Sequence, residues 1–151
     1  MTPFGLFRKK EKDALEKKKE TAKAKQPTQK TLLDELSGGD RELHEALSRT
    51  LLLNPETVVK DGADFYVNKA QEHEEAQNFR NARIAYQVAG EIALHEGKMV
   101  QMQKFFKKAA EVDPECPYRE VFEYLSKKEN AERALALAKE FYTKMRKRTE
   151  A

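Results

Sequence analysis

The segment from Phe79 to Glu96 constrains the fold more than any other part of this chain, because its apolar residues lie on two sides of one helix. One stripe at helical spacing consists of Phe79, Ala82, Tyr86, Ala89 and Ala93. A second stripe, on a different side, consists of Ala85, Val88 and Ile92. A helix that is apolar on two sides must be covered on both. The sequence therefore predicts a helix over 79–96, ended by Gly97, that lies between neighbouring helices.

Composition places the rest of the chain in the same structural class. Ala, Leu, Glu and Lys supply 72 of the 151 residues, whereas Val and Ile together supply 9. Strong helix formers therefore dominate, and the β-branched residues typical of strands are scarce. We predict an all-α fold in which short loops join antiparallel helices.

The other helix boundaries follow from capping residues and helix breakers. The folded part is predicted to begin near Thr31 with a short helical turn that Gly38 and Gly39 end. Asp40 is a favourable N-cap for a helix that ends at Asn54-Pro55. Its predicted apolar stripe consists of Leu43, Leu47, Thr50 and Leu51. Further helices are predicted over Ala63–Gln77, Lys98–Val112, Pro117–Lys127 and Asn130–Met145.

Charge is unevenly distributed along the chain. Residues 1–30 hold 10 Lys/Arg and 4 Asp/Glu, residues 31–143 hold 15 and 21, and residues 144–151 hold 4 and 1. Between residues 8 and 30, Leu15 is the only large apolar residue, so this stretch has no face to bury. The predicted organisation is a flexible, disordered basic N-terminal arm (1–30), an all-helical domain (31–146) and a basic C-terminal tail (147–151).

Catalytic and metal-binding patterns are not found in the sequence. His44, His73 and His95 are each followed by Glu, but none has the second His four residues on that a helical zinc site requires. No glycine-rich phosphate loop occurs, and no His or Lys lies close in sequence to Cys116 to activate its thiol. We therefore expect no enzyme activity, no cofactor, no metal and no small-molecule substrate.

Location is predicted from the same residues. No apolar run approaches the ~20 residues of a membrane-spanning helix, and the N-terminus lacks the apolar core of a secretory signal. A single cysteine cannot form an internal disulfide, which fits a reducing compartment. The expected location is the cytoplasm.

Between Tyr86 and Pro114, small and large apolar residues recur at the spacing of a helix–turn–helix unit. The positions are Tyr86, Ala89, Gly90, Ala93, Gly97, Met102, Phe106, Ala109 and Pro114. This segment resembles a tetratricopeptide repeat, a unit of ~34 residues. An overlapping match places Phe79, Ala82, Tyr86 and Ala89 on the second helix of an earlier unit, with Ala70 on its first helix. Because the helix 79–96 then serves two units, and Ala93 and Met102 replace the expected Tyr and Ala, the resemblance is to an irregular repeat, and an ordinary helical bundle is the alternative.

The resemblance implies a function as well as a fold. It implies helical hairpins stacked as a right-handed superhelix, acting as a non-enzymatic scaffold or adaptor. Proteins of that family hold a partner peptide or helix in a preformed groove, which lowers the ordering cost of binding. The partner-binding residues that the resemblance implies here are Asn68, Gln71, Gln87, Glu91, Tyr118 and Phe122. The acidic body favours a basic or apolar partner segment.

The basic arm offers an alternative function as a peripheral membrane or RNA-binding adaptor. Phe4, Leu6 and Phe7 could insert into an anionic membrane surface while Arg8, Lys9 and Lys10 contact headgroups. The cations of the arm, with those of residues 146–148, could instead hold nucleic-acid phosphates without sequence preference. The remaining interpretation of the arm is a solubilising tail.

Overall fold

The computed structural model of the chain describes residues 27–52 and 59–150. Every regular element within these ranges is a helix, which confirms the all-α prediction. The helices are α1 (Pro27–Ser37), α2 (Arg41–Thr50), α3 (Ala63–Glu75), α4 (Phe79–Glu96), α5 (Met99–Val112), α6 (Arg119–Ser126) and α7 (Lys128–Glu150). The chain divides into two compact units at the bond between Glu35 and Leu36, so that α2 to α7 all belong to the second unit. Within the described ranges, no helix is long and apolar enough to span a membrane.

The structure contains the predicted N-cap of α2 and the predicted C-cap of α4. The backbone N–H of Leu43 donates to the Asp40 carboxylate at 3.1 Å, which satisfies one of the unpaired donors at the start of α2. Helix α4 has the predicted bounds, and Gly97 ends it with φ 76° in the left-handed region that glycine adopts without a steric penalty. Helix α2 ends earlier than predicted: its last residue is Thr50, and Leu51 already has an extended backbone with φ −69° and ψ 130°, while Asn54 and Pro55 lie outside the described residues.

Both ends of the helical region extend beyond their predicted bounds. Helix α1 begins at Pro27 and not at Thr31, because proline fits the first position of a helix, where the missing N–H would be unpaired in any case. Helix α7 continues to Glu150, because no helix breaker follows Met145. Residues 147–150, predicted as a tail, therefore belong to α7.

Helix α4 lies at the centre of the packing, as its two apolar stripes predict. It contacts α3, α5 and α7, while α6 contacts α5 and α7, and α2 contacts α6 and α7. In the first stripe only Phe79 departs from the prediction, since 48% of it is exposed. Phe79 is the first residue of α4, next to the turn from α3, where the described neighbours leave it uncovered.

A close approach between α4 and α5 depends on a glycine. A Cβ atom at Gly90 would lie 2.7 Å from the ring of Phe106, so any larger residue would displace that ring. Phe106 is fully buried and stacks on Phe122 of α6, with ring centroids 6.0 Å apart and planes 7° from parallel. Gly90 therefore allows α4, α5 and α6 to form one continuous core.

Candidate interaction site

Polar side chains form a connected chain along one side of α4. Arg83, Gln87 and Glu91 recur every four residues and so lie on one line of the helix. Asp113, which follows α5, and Tyr118, which precedes α6, approach the same line. We call these five residues the polar ladder.

Hydrogen bonds join the members of the polar ladder. Arg83 donates from Nε to Asp113 at 3.2 Å and from Nη1 to the hydroxyl of Tyr118 at 2.8 Å. The same Nη1 lies 3.3 Å from Oε1 of Gln87, and Nε2 of Gln87 donates to Glu91 at 3.0 Å. Because only 5% of Arg83 is exposed, these bonds replace the water that its guanidinium has lost.

The ring of Tyr118 contacts two arginine side chains, and its hydroxyl accepts the hydrogen bond from Arg83. The guanidinium carbon of Arg83 lies 5.2 Å from the centroid of its ring, and that of Arg49 on α2 lies 4.8 Å away. Both distances are within the range of cation–π attraction. The tyrosine thus connects α2 to α4 through its ring and its hydroxyl.

Glu91 is the buried acidic end of the polar ladder. Burial disfavours its charged form and raises its pKa to about 7, although the hydrogen bond from Gln87 opposes the shift. Burial also raises the pKa of Tyr142 on α7 to about 12, and the charge of Glu91 adds to that shift. The Tyr142 hydroxyl accepts from the backbone N–H of Leu52 at 2.8 Å, so this corner connects α4, α7 and the residues after α2.

The raised pKa of Glu91 predicts that stability falls as the pH rises. Between its ordinary pKa of 4.5 and its folded value near 7, the folded chain holds a proton that the unfolded chain has released. The free energy of unfolding therefore decreases through this window and levels off above it. We expect Glu91→Gln, which is neutral at every pH, to be more stable than the parent by about 3 kcal/mol at about pH 8.

Urea denaturation at several pH values checks this expectation, since the two proteins should converge near pH 4. Glu132→Gln, at an exposed position on α7, is the matched control and should stay within about 0.5 kcal/mol of the parent throughout. A difference between parent and Glu91→Gln that does not change with pH would show that Glu91 is ionised in the folded protein.

An apolar strip lies beside the polar ladder on α4. Ile84 and Val88 directly follow Arg83 and Gln87 in the sequence, so they occupy the adjacent line of the helix. Ile84 is 42% exposed and Val88 is half-buried. The strip is one place where the described neighbouring helices leave α4 uncovered; the others are residues 79–81 at its start and Glu96 at its end.

The structure brings together three of the six side chains predicted to bind a partner. Gln87, Glu91 and Tyr118 all belong to the polar ladder. Asn68 and Gln71 are exposed on α3, and no hydrogen bond among the described residues joins them to the ladder.

Two of the predicted contacts need correction. Phe122 is fully buried, because its ring fills the space between Phe106 and Tyr118, so it cannot line an open groove. Glu91 is also buried, with 9% exposed, and acts inside the fold. The sequence prediction was wrong to place these two side chains on the surface.

Sequence reasoning missed Arg83 and Asp113, which hold the ladder together. The available signal was Arg83 itself, a charged residue within the segment whose apolar stripes cover two sides. Such a residue must reach either water or a counter-ion. Its counter-ion could not be identified, because Asp113 is 30 residues away in the chain.

The remaining sequence predictions concern the basic arm, metal binding and Cys116. Phe4, Leu6, Phe7, Arg8, Lys9 and Lys10 of the arm lie outside the described residues. Among the residues that the structure describes, no group of three His, Cys, Asp or Glu side chains could hold a metal ion. Cys116 is buried as a free cysteine.

The fold defines the class as an all-α protein with helical hairpins packed on a shared central helix. Comparisons with protein-family models, curated proteins and solved structures found no significant match. The tetratricopeptide resemblance therefore stays a prediction that rests on the residues that carry it.

Proposed function

We propose that this protein is a non-enzymatic, tetratricopeptide-like scaffold or adaptor of the cytoplasm that binds a peptide or helix of another protein on α4. The observation that carries the proposal is the apolar strip beside the polar ladder, in which Ile84 is exposed and Val88 is half-buried. An isoleucine that is exposed on a largely buried helix is a suitable anchor point for an apolar partner side chain.

The polar ladder supports the proposal because it fixes the position of the strip. Arg83 and Gln87 directly precede Ile84 and Val88 on α4, and Arg83 connects the helix to Asp113 and Tyr118 and also bonds to Gln87. A surface held in this way loses little conformational freedom when a partner binds. The half-buried amide of Gln87 at this polar edge can form one further hydrogen bond from each polar atom, which can set the register of a bound segment.

Charge indicates the chemistry of the partner. The body of the chain between residues 31 and 143 holds 21 acidic and 15 basic residues. An amphipathic partner helix with Leu or Ile on one side and Lys or Arg on its flanks complements both the apolar strip and this charge.

A paired-variant binding experiment tests the proposal. Ile84→Glu places a charge in the strip, and Val100→Glu places the same charge on α5 at a side chain that is 75% exposed. We expect Ile84→Glu to weaken binding of a purified partner, first obtained by nuclease-treated affinity capture with the full chain, by about tenfold or more. Val100→Glu should bind within about twofold of the parent, which corresponds to less than about 0.5 kcal/mol.

The same measurement separates the strip from the basic arm. Circular dichroism must show that both Glu variants remain folded. Equal loss of binding in the two variants would contradict the proposal, as would full binding by Ile84→Glu. Loss of binding only when Phe4 and Phe7 are replaced by Ser would assign the function to the arm.

A further inference from the structure

A second site is formed by a cleft of about 630 Å³ between the carboxyl end of α4 and one face of α7. Its apolar lining comes from Leu94, Leu135 and Ala136, and polar side chains surround it. This volume is in the range of small-molecule sites, which combine apolar walls with a few polar groups. The cleft is separate from the apolar strip, because it involves the last turn of α4 and not residues 84–88.

One wall of the cleft is cationic. Lys139, Thr143 and Arg146 lie on one line of α7 and all face the cleft. In the described part of the chain, neither Lys139 nor Arg146 has a carboxylate within ion-pair distance. Lys144 on the neighbouring side of the same helix differs in this respect, since its Nζ lies 3.3 Å from Glu140. No carboxylate whose side chain is described therefore neutralises the positive charge that faces the cleft.

The negative groups near the cleft are already occupied. Glu96 is the carboxylate among the described lining residues, and Nζ of Lys98 lies 3.8 Å from it. The backbone N–H groups of Lys98 and Gly97 donate to the carbonyls of Ala93 and Leu94 at 2.9 and 3.3 Å. The last turn of α4 thus presents few free acceptors, and among the described lining residues the two cations of α7, Lys139 and Arg146, outnumber the one carboxylate, Glu96.

His95 supplies a polar atom without a partner on the opposite wall. Its Nδ1 is buried and has no hydrogen-bond partner among the described residues. The imidazole packs edge-on against Tyr142, with ring centroids 4.6 Å apart, which holds the ring in place. An unpaired buried nitrogen is costly, so the penalty would be removed if the surrounding side chains opened enough for a ligand oxygen to reach it.

We propose that this cleft binds a small phosphomonoester whose phosphate lies between α7 and His95 and whose apolar body rests on Leu94 and Leu135. A phosphate has three acceptor oxygens and close to two negative charges at neutral pH. It can therefore accept hydrogen bonds from Arg146, Lys139 and the imidazole together. A carboxylate has one charge and can be satisfied by Arg146 alone.

The experiment is a titration of the full chain with phenyl phosphate, followed by NMR of the His95 ring and by calorimetry. Burial lowers the pKa of His95, and the nearby charge of Arg146 lowers it further, while Glu96 opposes the shift. A bound dianion should raise this pKa and shift the His95 resonances. We expect a Kd on the order of 1 mM. Arg146→Gln and Lys139→Gln should each weaken binding by about tenfold.

Lys144→Gln is the matched control, because it removes the same charge from the same helix outside the cleft. Binding within about twofold of the parent is expected there. An equal loss in Lys144→Gln, or unchanged His95 resonances at saturating phenyl phosphate, would overturn the proposal.

Three further ligands test which chemical group the cleft recognises. Benzoate should bind much more weakly than phenyl phosphate, and benzoate of equal affinity would overturn the assignment to phosphate. Inorganic phosphate should bind more weakly because it lacks the apolar body. A phosphotyrosine peptide that binds more tightly than phenyl phosphate would overturn the small-molecule source, whereas weaker binding supports it.

Discussion

Replacing Arg83 by Met is expected to lower the free energy of unfolding by about 3–5 kcal/mol. Methionine fills much of the same volume but leaves the partly buried Asp113 carboxylate and the oxygens of Gln87 and Tyr118 without their donor. The Asp113 side chain is only 15% exposed, so water cannot fully replace the guanidinium. Urea denaturation followed by circular dichroism at neutral pH measures the loss.

Two comparisons decide whether the effect arises from the unpaired carboxylate. The double variant with Asp113→Leu should recover much of the lost stability, because removing both charges together is often close to neutral. Arg49→Met removes a more exposed arginine that also contacts the Tyr118 ring and should cost less than about 1 kcal/mol. An Arg83→Met protein as stable as Arg49→Met would refute the structural role of the polar ladder.

The second large effect is expected at Phe122. Phe122→Ala removes a fully buried ring from its stack on Phe106, which should cost about 3–5 kcal/mol through lost burial and the cavity left behind. The measurement is the denaturation midpoint together with amide exchange in α5 and α6. Both helices should lose protection, because both surround the cavity.

Phe122→Leu provides the conservative control and should cost less than the alanine variant, since it keeps part of the apolar volume. The experiment also tests the sequence prediction that Phe122 contacts a partner. A Phe122→Ala protein of unchanged stability that has lost its partner would favour that prediction over the buried position.

Local signals explain why most helix boundaries could be predicted. Asp40 caps α2 through its own side chain, and Gly97 ends α4 by adopting a left-handed conformation. Both effects depend on residues within one helical turn. The central position of α4 could also be predicted, because a helix with two apolar stripes requires cover on two sides.

The site could be predicted only in part, because its contacts join distant parts of the chain. Arg83 and Tyr118 are 35 residues apart, so no local sequence pattern indicates that they form a hydrogen bond. The spacing of Gln87 and Glu91 indicated that they share a line of the helix, but not that Glu91 is buried. Phe122 shows the same limit, since an aromatic residue on a short amphipathic helix can face either a core or a partner.

The shared position of α4 also determines how this protein can change in length. In a regular repeat array each hairpin brings both of its helices, so a hairpin can be duplicated or deleted and the neighbours still pack. Here α4 forms one hairpin with α3 and a second hairpin with α5. On one side of α4, Gly90 leaves room for the ring of Phe106. Deleting either hairpin would remove a helix that the other requires. The region from α3 to α5 therefore packs as one block that cannot be divided between its two hairpins, although its residues resemble those of separable repeats.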